Sequence, residues 1–259
     1  MFQKQRYEEI YNILQERQSA TVQYFQNQLH VSEATVRRDL AEMEALGLLQ
    51  RVWGGAMLHT TADKDPPTFV RVKANNDKKA KIASIASKLI RESSSIFLDG
   101  STTAMHLVPY FAKFKQLIFI TNGLQIQQML MEQANANIYL IGGQVFEKRI
   151  TTGHMAVSAV KKLHTDIFFF SCSGISTESG ITGIEAKSCE VCSEMMRHTD
   201  TCVLLCDSTK VGGNYLWHLA DFDDVDYIIM DSVPEDPALV AAMGPKLITD
   251  AKQLKTSMY

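Results

Sequence analysis

The sequence predicts an α/β protein in two parts, a small winged helix-turn-helix domain followed by a larger domain built on a mostly parallel sheet. Three observations carry this expectation. Three short helical patterns and a Gly-Gly hairpin fill roughly the first 58 residues. A polar segment with two prolines, Thr60 to Thr68, then interrupts the chain. Beyond it, near-continuous apolar runs alternate with amphipathic helices, the pattern of parallel strands covered on both faces. The expected division is residues 1–59 as the winged domain, 60–72 as linker and 73–259 as an effector domain.

The 259 residues are ample for two cores, and 46% hydrophobic with 21% charged residues is a globular composition. A net charge of -3 gives no general attraction to nucleic acid or anionic membranes. No apolar leader and no run of membrane-spanning length is present, so a cytoplasmic protein without a membrane partner is expected. The five cysteines, Cys172, Cys189, Cys192, Cys202 and Cys206, are odd in number, which argues for reduced thiols. Cys189-x-x-Cys192 with Cys202 and Cys206 has the outline of a zinc site. Yet Cys202 and Cys206 close an apolar run that reads as a strand, and small buried thiols are the better reading. Neither metal nor cofactor is expected.

Taken in order, Arg6 to Arg17 places Tyr7, Ile10, Tyr11 and Leu14 on one helical face. Ser19-Ala20-Thr21 breaks that helix and caps a second with Val22, Phe25 and Leu29 inward. Ser32 stands at the N-cap of a third helix, and Glu33 suits its first turn. Val36, Leu40 and Met43 form the buried face, and Gly47 is a natural stop. Two apolar segments, Leu48 to Val52 and Ala56 to Leu58, flank Trp53-Gly54-Gly55 as a hairpin. Burying that face leaves Ala34, Thr35, Arg37 and Arg38 near the start of the third helix, where such domains touch base edges and phosphates. Arg51 on the hairpin is placed for a phosphate. Residues 1–59 nonetheless hold six basic and seven acidic residues. Such a domain must concentrate its cations at the contact surface and gains by dimerising across two half-sites. A protein-interaction module that does not touch DNA is the competing reading of this balance.

In the second part, Lys78 to Arg91 is a helix with Ile82, Ile85, Ala86 and Leu89 inward. Strands are expected at 96–98, 117–120, 138–141, 167–170, 203–205 and 227–230, with helices at 103–111, 124–133, 155–163 and 188–198. In parallel sheets, ligands bind outside the carboxyl ends of the strands. Those ends read Asp99-Gly100-Ser101-Thr102-Thr103, Thr121-Asn122-Gly123, Gly142-Gly143, Ser173-Gly174 and Asp207-Ser208-Thr209-Lys210. The first delivers small residues and three hydroxyls to a helix start, an arrangement suited to phosphate, with Asp99 able to accept from a sugar hydroxyl. Lys210 supplies a cation. Five small or polar ends on one edge favour a site for a hydroxyl-rich anion.

Ser32-Glu33-Ala34-Thr35-Val36-Arg37-Arg38-Asp39-Leu40 together with Arg51-Val52-Trp53-Gly54-Gly55-Ala56 resembles the N-terminal signature of the DeoR family of bacterial transcriptional regulators. The strand ends, with Gly153, resemble that family's sensor domain, which is similar in fold to ribose-5-phosphate isomerase. The resemblance implies a sequence-specific repressor of a carbohydrate-utilisation operon, controlled by a phosphorylated sugar. It implies operator DNA as partner and a homodimer or homotetramer. The residues it points to are Ser32, Ala34, Thr35, Arg37, Arg38 and Arg51 for DNA. For the effector they are Asp99, Gly100, Ser101, Thr102, Thr103, Thr121, Asn122, Gly142, Gly143 and Lys210, to which the strand-end pattern itself adds Gly174. Two departures stand out. The loop reads Asp-Gly-Ser-Thr-Thr where the family more often has Asp-Ser-Gly-Thr-Thr, and Cys192-Ser193 occupy the place of a basic pair. The alternative function is a sugar-phosphate isomerase or deaminase with an appended winged domain. Against it, no tight cluster of acids for proton transfer is visible.

Overall fold

The computed structural model describes residues 2–45, 48–58, 71–72, 74–133, 136–147 and 149–256. The chain divides into two compact units, Met1–Ala74 and Asn75–Tyr259. The expected helix stop at Gly47 and residues 60–70 of the expected linker lie outside the described residues.

The first unit is the expected three helices and wing. Helix α1, Gln3–Arg17, buries Tyr7, Ile10, Tyr11 and Leu14. The chain leaves it through Gln18 in the left-handed region at φ 65°, whose N–H donates to Leu14 O at 2.8 Å. Strand β1, Ser19–Thr21, then runs antiparallel to the wing. The sequence reading had only a helix break there. Three residues with a single half-buried apolar side chain, Ala20, give too short a pattern to betray a strand. Thr21 caps α2, Val22–Leu29, by accepting from the Tyr24 N–H, and Ser32 caps α3, Glu33–Ala45, by accepting from the Thr35 N–H. Helix α3 buries Val36, Leu40 and Met43 as expected, and also Asp39.

The Asp39 carboxylate is fully buried and accepts two hydrogen bonds from Arg6, one from Nη2 at 2.9 Å and one from Nε at 2.5 Å. A bidentate pair of this kind satisfies both charges where water does not reach, and it ties α1 to α3. The wing consists of β2, Leu49–Val52, and β3, Gly55–Leu58, in a sheet of order β1-β3-β2. Its turn is Trp53-Gly54, with Gly54 at φ 79°. Gly55 belongs to the strand rather than the turn, and a Cβ there would lie 2.2 Å from the Ala20 carbonyl oxygen. Glycine is the residue that lets β1 approach β3.

The second unit opens with helix Asn76–Ala86, which tightens into a 3-10 turn at Ser87–Leu89 instead of running on to Arg91. The strands that follow are β4 Ser95–Leu98, β5 Ile118–Thr121, β6 Asn137–Leu140, β7 Gln144–Phe146, β8 Ile150–Thr152, β9 Thr165–Phe170, β10 Gly174–Ser176, β11 Gly180–Gly183, β12 Thr199–Cys206, β13 Trp217–Ala220, β14 Tyr227–Met230 and β15 Leu247–Ile248. Among the described residues, seven strands form one sheet of order β15-β14-β12-β9-β4-β5-β6, and each neighbouring pair is parallel. Its central strands carry Phe97, Phe168, Phe170 and Leu204 into the core, with Phe168 and Phe170 stacked at 5.1 Å. The hairpin β7–β8 and the small antiparallel sheet β10-β11-β13 were not expected. Segments such as Gly-Ile-Ser and Gly-Ile-Thr-Gly have too few apolar residues to show a period.

The expected helix over 103–111 is two four-residue helices, Thr102–Met105 and Val108–Phe111, with the break at His106-Leu107. Pro109 explains it. Lacking an N–H, proline cannot donate back to the Met105 carbonyl, so the helix restarts with Pro109 in its first turn.

The strand order positions the functional edge. From β4 the chain moves to one side through β5 and β6, then crosses to the other through β9, β12, β14 and β15. The direction of winding reverses between β4 and β9, the point at which sheets of this kind bind ligands outside the carboxyl ends of their strands.

Candidate functional site

On the first unit, Ser32, Ala34, Arg37 and Arg38 are exposed and Thr35 half-buried, all on the open side of α3. Arg37 pairs with Glu33 at 2.7 Å, and Arg38 lies 4.0 Å from Glu42. Arg51 stands on the wing 3.8 Å from Glu44, which also accepts from the Arg51 backbone N–H at 2.8 Å. Exposed pairs of this kind contribute about 0–1 kcal/mol, so exchanging a carboxylate for a DNA phosphate costs little. Ser32 is already engaged, its hydroxyl capping α3 and lying 2.9 Å from the Thr35 hydroxyl. Sequence reasoning passed over Trp53, which is fully exposed at the tip of the wing. A tryptophan beside a turn glycine was the available signal.

On the second unit, the loop after β4 is held by Asp99. One carboxylate oxygen accepts from the Ser101 N–H at 3.1 Å and the other from the Ser171 N–H at 3.0 Å. The Asp99 N–H in turn donates to the Phe169 carbonyl at 3.2 Å. Asp99 thus ties the loops after β4 and β9 to each other. Burial pushes its pKa up, opposed by hydrogen bonds from Ser101 and Ser171 and by the charge of Arg149.

Gly100 is placed by packing. A Cβ there would lie 2.1 Å from Ile150 Cγ2 and 3.2 Å from the Gly123 Cα. The loop order Asp-Gly-Ser therefore matches a close approach to Gly123 on the next strand end. Ser101 spends its hydroxyl as N-cap to the Ala104 N–H, and Thr102 and Thr103 are buried. The four-residue helix that follows is too short for the extended dipole that the sequence reading invoked.

The remaining ends are built in the same way. Thr121 donates to the Leu98 carbonyl at 2.7 Å and accepts from the Gly123 N–H at 3.0 Å. Asn122 donates to the Thr151 carbonyl at 3.0 Å, and its Oδ1 is buried with no donor among the described residues. Gly142 is exposed with open space around it, whereas a Cβ on Gly143 would lie 2.6 Å from the Thr152 carbonyl oxygen. Gly174 is buried against Gly213, 2.8 Å from its Cα to a Cβ at 174, and is a packing residue.

At the end of β12, Asp207 is buried and caps the Ser208–Lys210 turn by accepting from the Thr209 N–H at 3.1 Å. Its Oδ1 also receives the Asn75 amide at 3.4 Å, and its Oδ2 has no donor among the described residues. Lys210 is half-buried beside it, with no ion-pair partner among those residues. Lys78 donates to the Ser208 hydroxyl at 2.6 Å, bringing the start of helix Asn76–Ala86 to the same edge. His106 joins that helix to the loop, with Nδ1 2.9 Å from the Thr102 carbonyl and Nε2 2.8 Å from the Asn76 side chain. Burial lowers its pKa, and the Lys79 charge acts in the same sense.

A third cation reaches this edge, in addition to Lys210 and Lys78, that the sequence did not reveal. Arg149 precedes β8, and its Nη1 donates to the Gly100 carbonyl at 3.2 Å while Nη2 lies 3.8 Å from Glu147. It is 49 residues from the loop it touches, and only the hairpin β7–β8 brings it there.

The cysteines lie in or against the core of this unit, all as free thiols. Cys192 is buried in the place where the resemblance led one to look for a basic residue, and Ser193 donates to the Leu219 carbonyl at 3.4 Å.

Comparison with known proteins places this geometry. Residues 6–62 match the DeoR-like helix-turn-helix domain, and residues 74–232 match the DeoR C terminal sensor domain. The HTH-type transcriptional regulator GolR of Listeria innocua serovar 6a is 30% identical over 90% of this chain and 92% of its own length. The transcriptional repressor AccR of Agrobacterium fabrum is 29% identical over 86% of this chain and 92% of its own, and the HTH-type transcriptional repressor GlcR of Bacillus subtilis 28% over 90% of each. Among solved structures, ribose 5-phosphate isomerase A from Methanocaldococcus jannaschii aligns over 53% of this chain and 55% of its own, at 16% identity and a TM-score of 0.40. That likeness is too weak to carry chemistry from one to the other. The relatives that match along the whole chain are regulators and repressors, which sets the enzyme reading aside. With both of its units matched, the chain belongs to the DeoR family of DNA-binding transcriptional regulators.

Proposed function

We propose that this protein represses a carbohydrate-utilisation operon and that a phosphorylated sugar, bound at the carboxyl edge of the sheet, controls its hold on operator DNA. Residues 1–59 read double-stranded DNA through α3 and the wing, 60–72 link, and 73–259 sense the effector. Arg37 and Arg38 supply base or phosphate contacts and Arg51 a phosphate contact.

One observation carries the effector reading. Buried oxygens short of donors share a single sheet edge with the cations Lys210 and Arg149. Asp207 Oδ2 and Asn122 Oδ1 follow the strands on either side of β9 and β4, about 7 Å each way from the switch point by strand spacing. Oxygens of this kind want hydroxyl donors, which a sugar offers in number. Lys210 and Arg149 offer positive charge, which a phosphate wants. The Asp99 loop, with Ser101, Thr102 and Thr103, closes the floor between them.

Control follows by population shift within a homodimer or homotetramer. The effector favours one arrangement of the paired winged domains and can act only through its differential affinity for the two arrangements. A thermal-shift screen against phosphorylated sugars tests the binding step, because a ligand of the folded state raises stability by mass action. The expected result is a rise in Tm for one sugar phosphate, absent for its dephosphorylated form and diminished in Lys210→Ala and Thr102→Val. No rise across the panel, or an equal rise in both variants, overturns the site.

A further inference from the structure

The last residues of β9 and β12 lie side by side, Phe170 opposite Leu204. The Ser171 hydroxyl donates to the Leu205 carbonyl at 2.7 Å, which carries the same register one step beyond the ladder. The next step sets Cys172 against Cys206, and their sulfurs are 3.9 Å apart. Adjacent strands run about 4.8 Å apart. That spacing falls within the Cα separation a disulfide spans, roughly 4.4–6.8 Å. Cys172 is half-buried and Cys206 buried, so an oxidant meets Cys172 first.

We propose that Cys172 and Cys206 form an oxidative modification site, in which a peroxide oxidises Cys172 and Cys206 closes an intramolecular disulfide. In the first step the Cys172 thiolate attacks one oxygen of hydrogen peroxide and breaks the O–O bond. Once protons are returned, the products are Cys172 sulfenic acid and one water. In the second, the Cys206 sulfur attacks the Cys172 sulfur, the S–O bond breaks, and the hydroxyl leaves with the Cys206 proton as a second water. Two thiols are oxidised by two electrons, and one peroxide is reduced to two waters. The Cys172 contact and burial hold the Cys206 thiol well above its usual range, with Lys210 acting in the opposite sense. Buried where Cys172 is half-buried, Cys206 is the resolving thiol and not the first to react.

The bond joins two pieces of the same edge. Cys172 follows Ser171, whose N–H holds Asp99, and Cys206 precedes Asp207, which caps the Lys210 turn. Drawing the sulfurs from 3.9 Å to about 2.05 Å turns the two side chains toward each other and locks the two loops together. This inference rests on the thiol geometry and stands whatever the effector is. The competing partner is Cys189, half-buried like Cys172 and close enough for the Cys172 charge to raise its pKa, with its sulfur packed against Gly183.

The full-length protein is treated with hydrogen peroxide in small molar excess, denatured, alkylated with N-ethylmaleimide and weighed intact. Of the five cysteines, only those outside the pair are expected to be alkylated. A peptide map is expected to join the Cys172 and Cys206 peptides, with dithiothreitol restoring all adducts. Cys172→Ser is expected to keep every remaining thiol under the same treatment. Cys206→Ala, should it fold, is expected to leave Cys172 trapped by dimedone as the sulfenic acid. A Cys172–Cys189 link, a cross-link between chains, or oxidised Cys172 with Cys206 still alkylated in the wild type would overturn the proposal.

Discussion

The two units put their functional residues to opposite uses. On α3 and the wing, Arg37, Arg38 and Arg51 project into solvent and lean only on nearby carboxylates. At the sheet edge, Thr102, Thr103, Thr121, Asn122 and Gly174 are buried, and Thr121 and Asn122 donate to the Leu98 and Thr151 carbonyls of neighbouring segments. A surface that meets a rigid duplex needs side chains that reach outward. A crevice that holds a small molecule needs walls fixed in advance, and the residues that fix them are not those that touch the ligand. On this comparison, substitutions at exposed positions of α3 are expected to change DNA affinity and leave folding alone, while substitutions at the edge are expected to change folding and, with it, the proposed sensing.

The largest effect is expected where the first unit departs from that rule. Asp39→Ala leaves the Arg6 guanidinium buried without its carboxylate. A loss of about 3–5 kcal/mol is expected in urea unfolding of the first unit. A loss under about 1 kcal/mol would mean that Arg6 reaches water and that the pair is not a structural tie.

Gly100→Ala sharpens the edge side of the comparison. The added methyl meets Ile150, which is buried at 1% exposure, and has Gly123 behind it. Overpacking of this kind costs about 1–3 kcal/mol, and effector-induced Tm shifts should fall with it. Unchanged unfolding would show that Ile150 has room to turn.

Arg37→Ala and Arg38→Ala sharpen the other side. A base-reading arginine is worth about 1–3 kcal/mol of discrimination, so operator affinity should fall by tenfold or more in at least one variant. Unfolding of both should stay within about 0.5 kcal/mol of wild type, the range of an exposed substitution. Retained operator binding in both would favour the protein-contact reading of this domain.

The smallest effect concerns His106, whose pKa is lowered by burial. The unfolded chain therefore binds this proton more readily than the folded one. Stability from this group is complete above the ordinary histidine value of about 6.5 and is lost as pH falls through it toward the folded value. Thermal unfolding of wild type and His106→Gln across pH 7.5 to 5.5 should show a steeper decline for wild type. Parallel curves would contradict the assignment.

How much of this was legible in the sequence follows from the range of the forces involved. The central strands were, because burial on both faces leaves runs such as Ile167 to Phe170 with no polar interruption. The first three helices were, because Val36, Leu40 and Met43 repeat at the helical period. Pro109 breaks the helix after the β4 loop by a local rule that the sequence carries on its face. The Arg6–Asp39 tie, the Arg149 approach to Gly100 and the back-to-back glycines at 100 and 123 span 23 to 49 residues of chain. No periodicity encodes such meetings. They depend on the order in which strands assemble. Loop composition put the small and polar strand ends on the carboxyl edge, but it did not distinguish side chains left open from those that brace the loops.

The central claim is that the edge crevice controls the DNA-binding unit. Fluorescence anisotropy of labelled operator DNA, titrated with protein at fixed salt with and without the sugar phosphate that raises Tm, tests it directly. The account predicts that the compound lowers operator affinity at least tenfold in wild type. It predicts further that Lys210→Ala binds the ligand-free operator normally and responds less than threefold. Equal operator affinity with and without a compound that binds, or an undiminished response in Lys210→Ala, would contradict it.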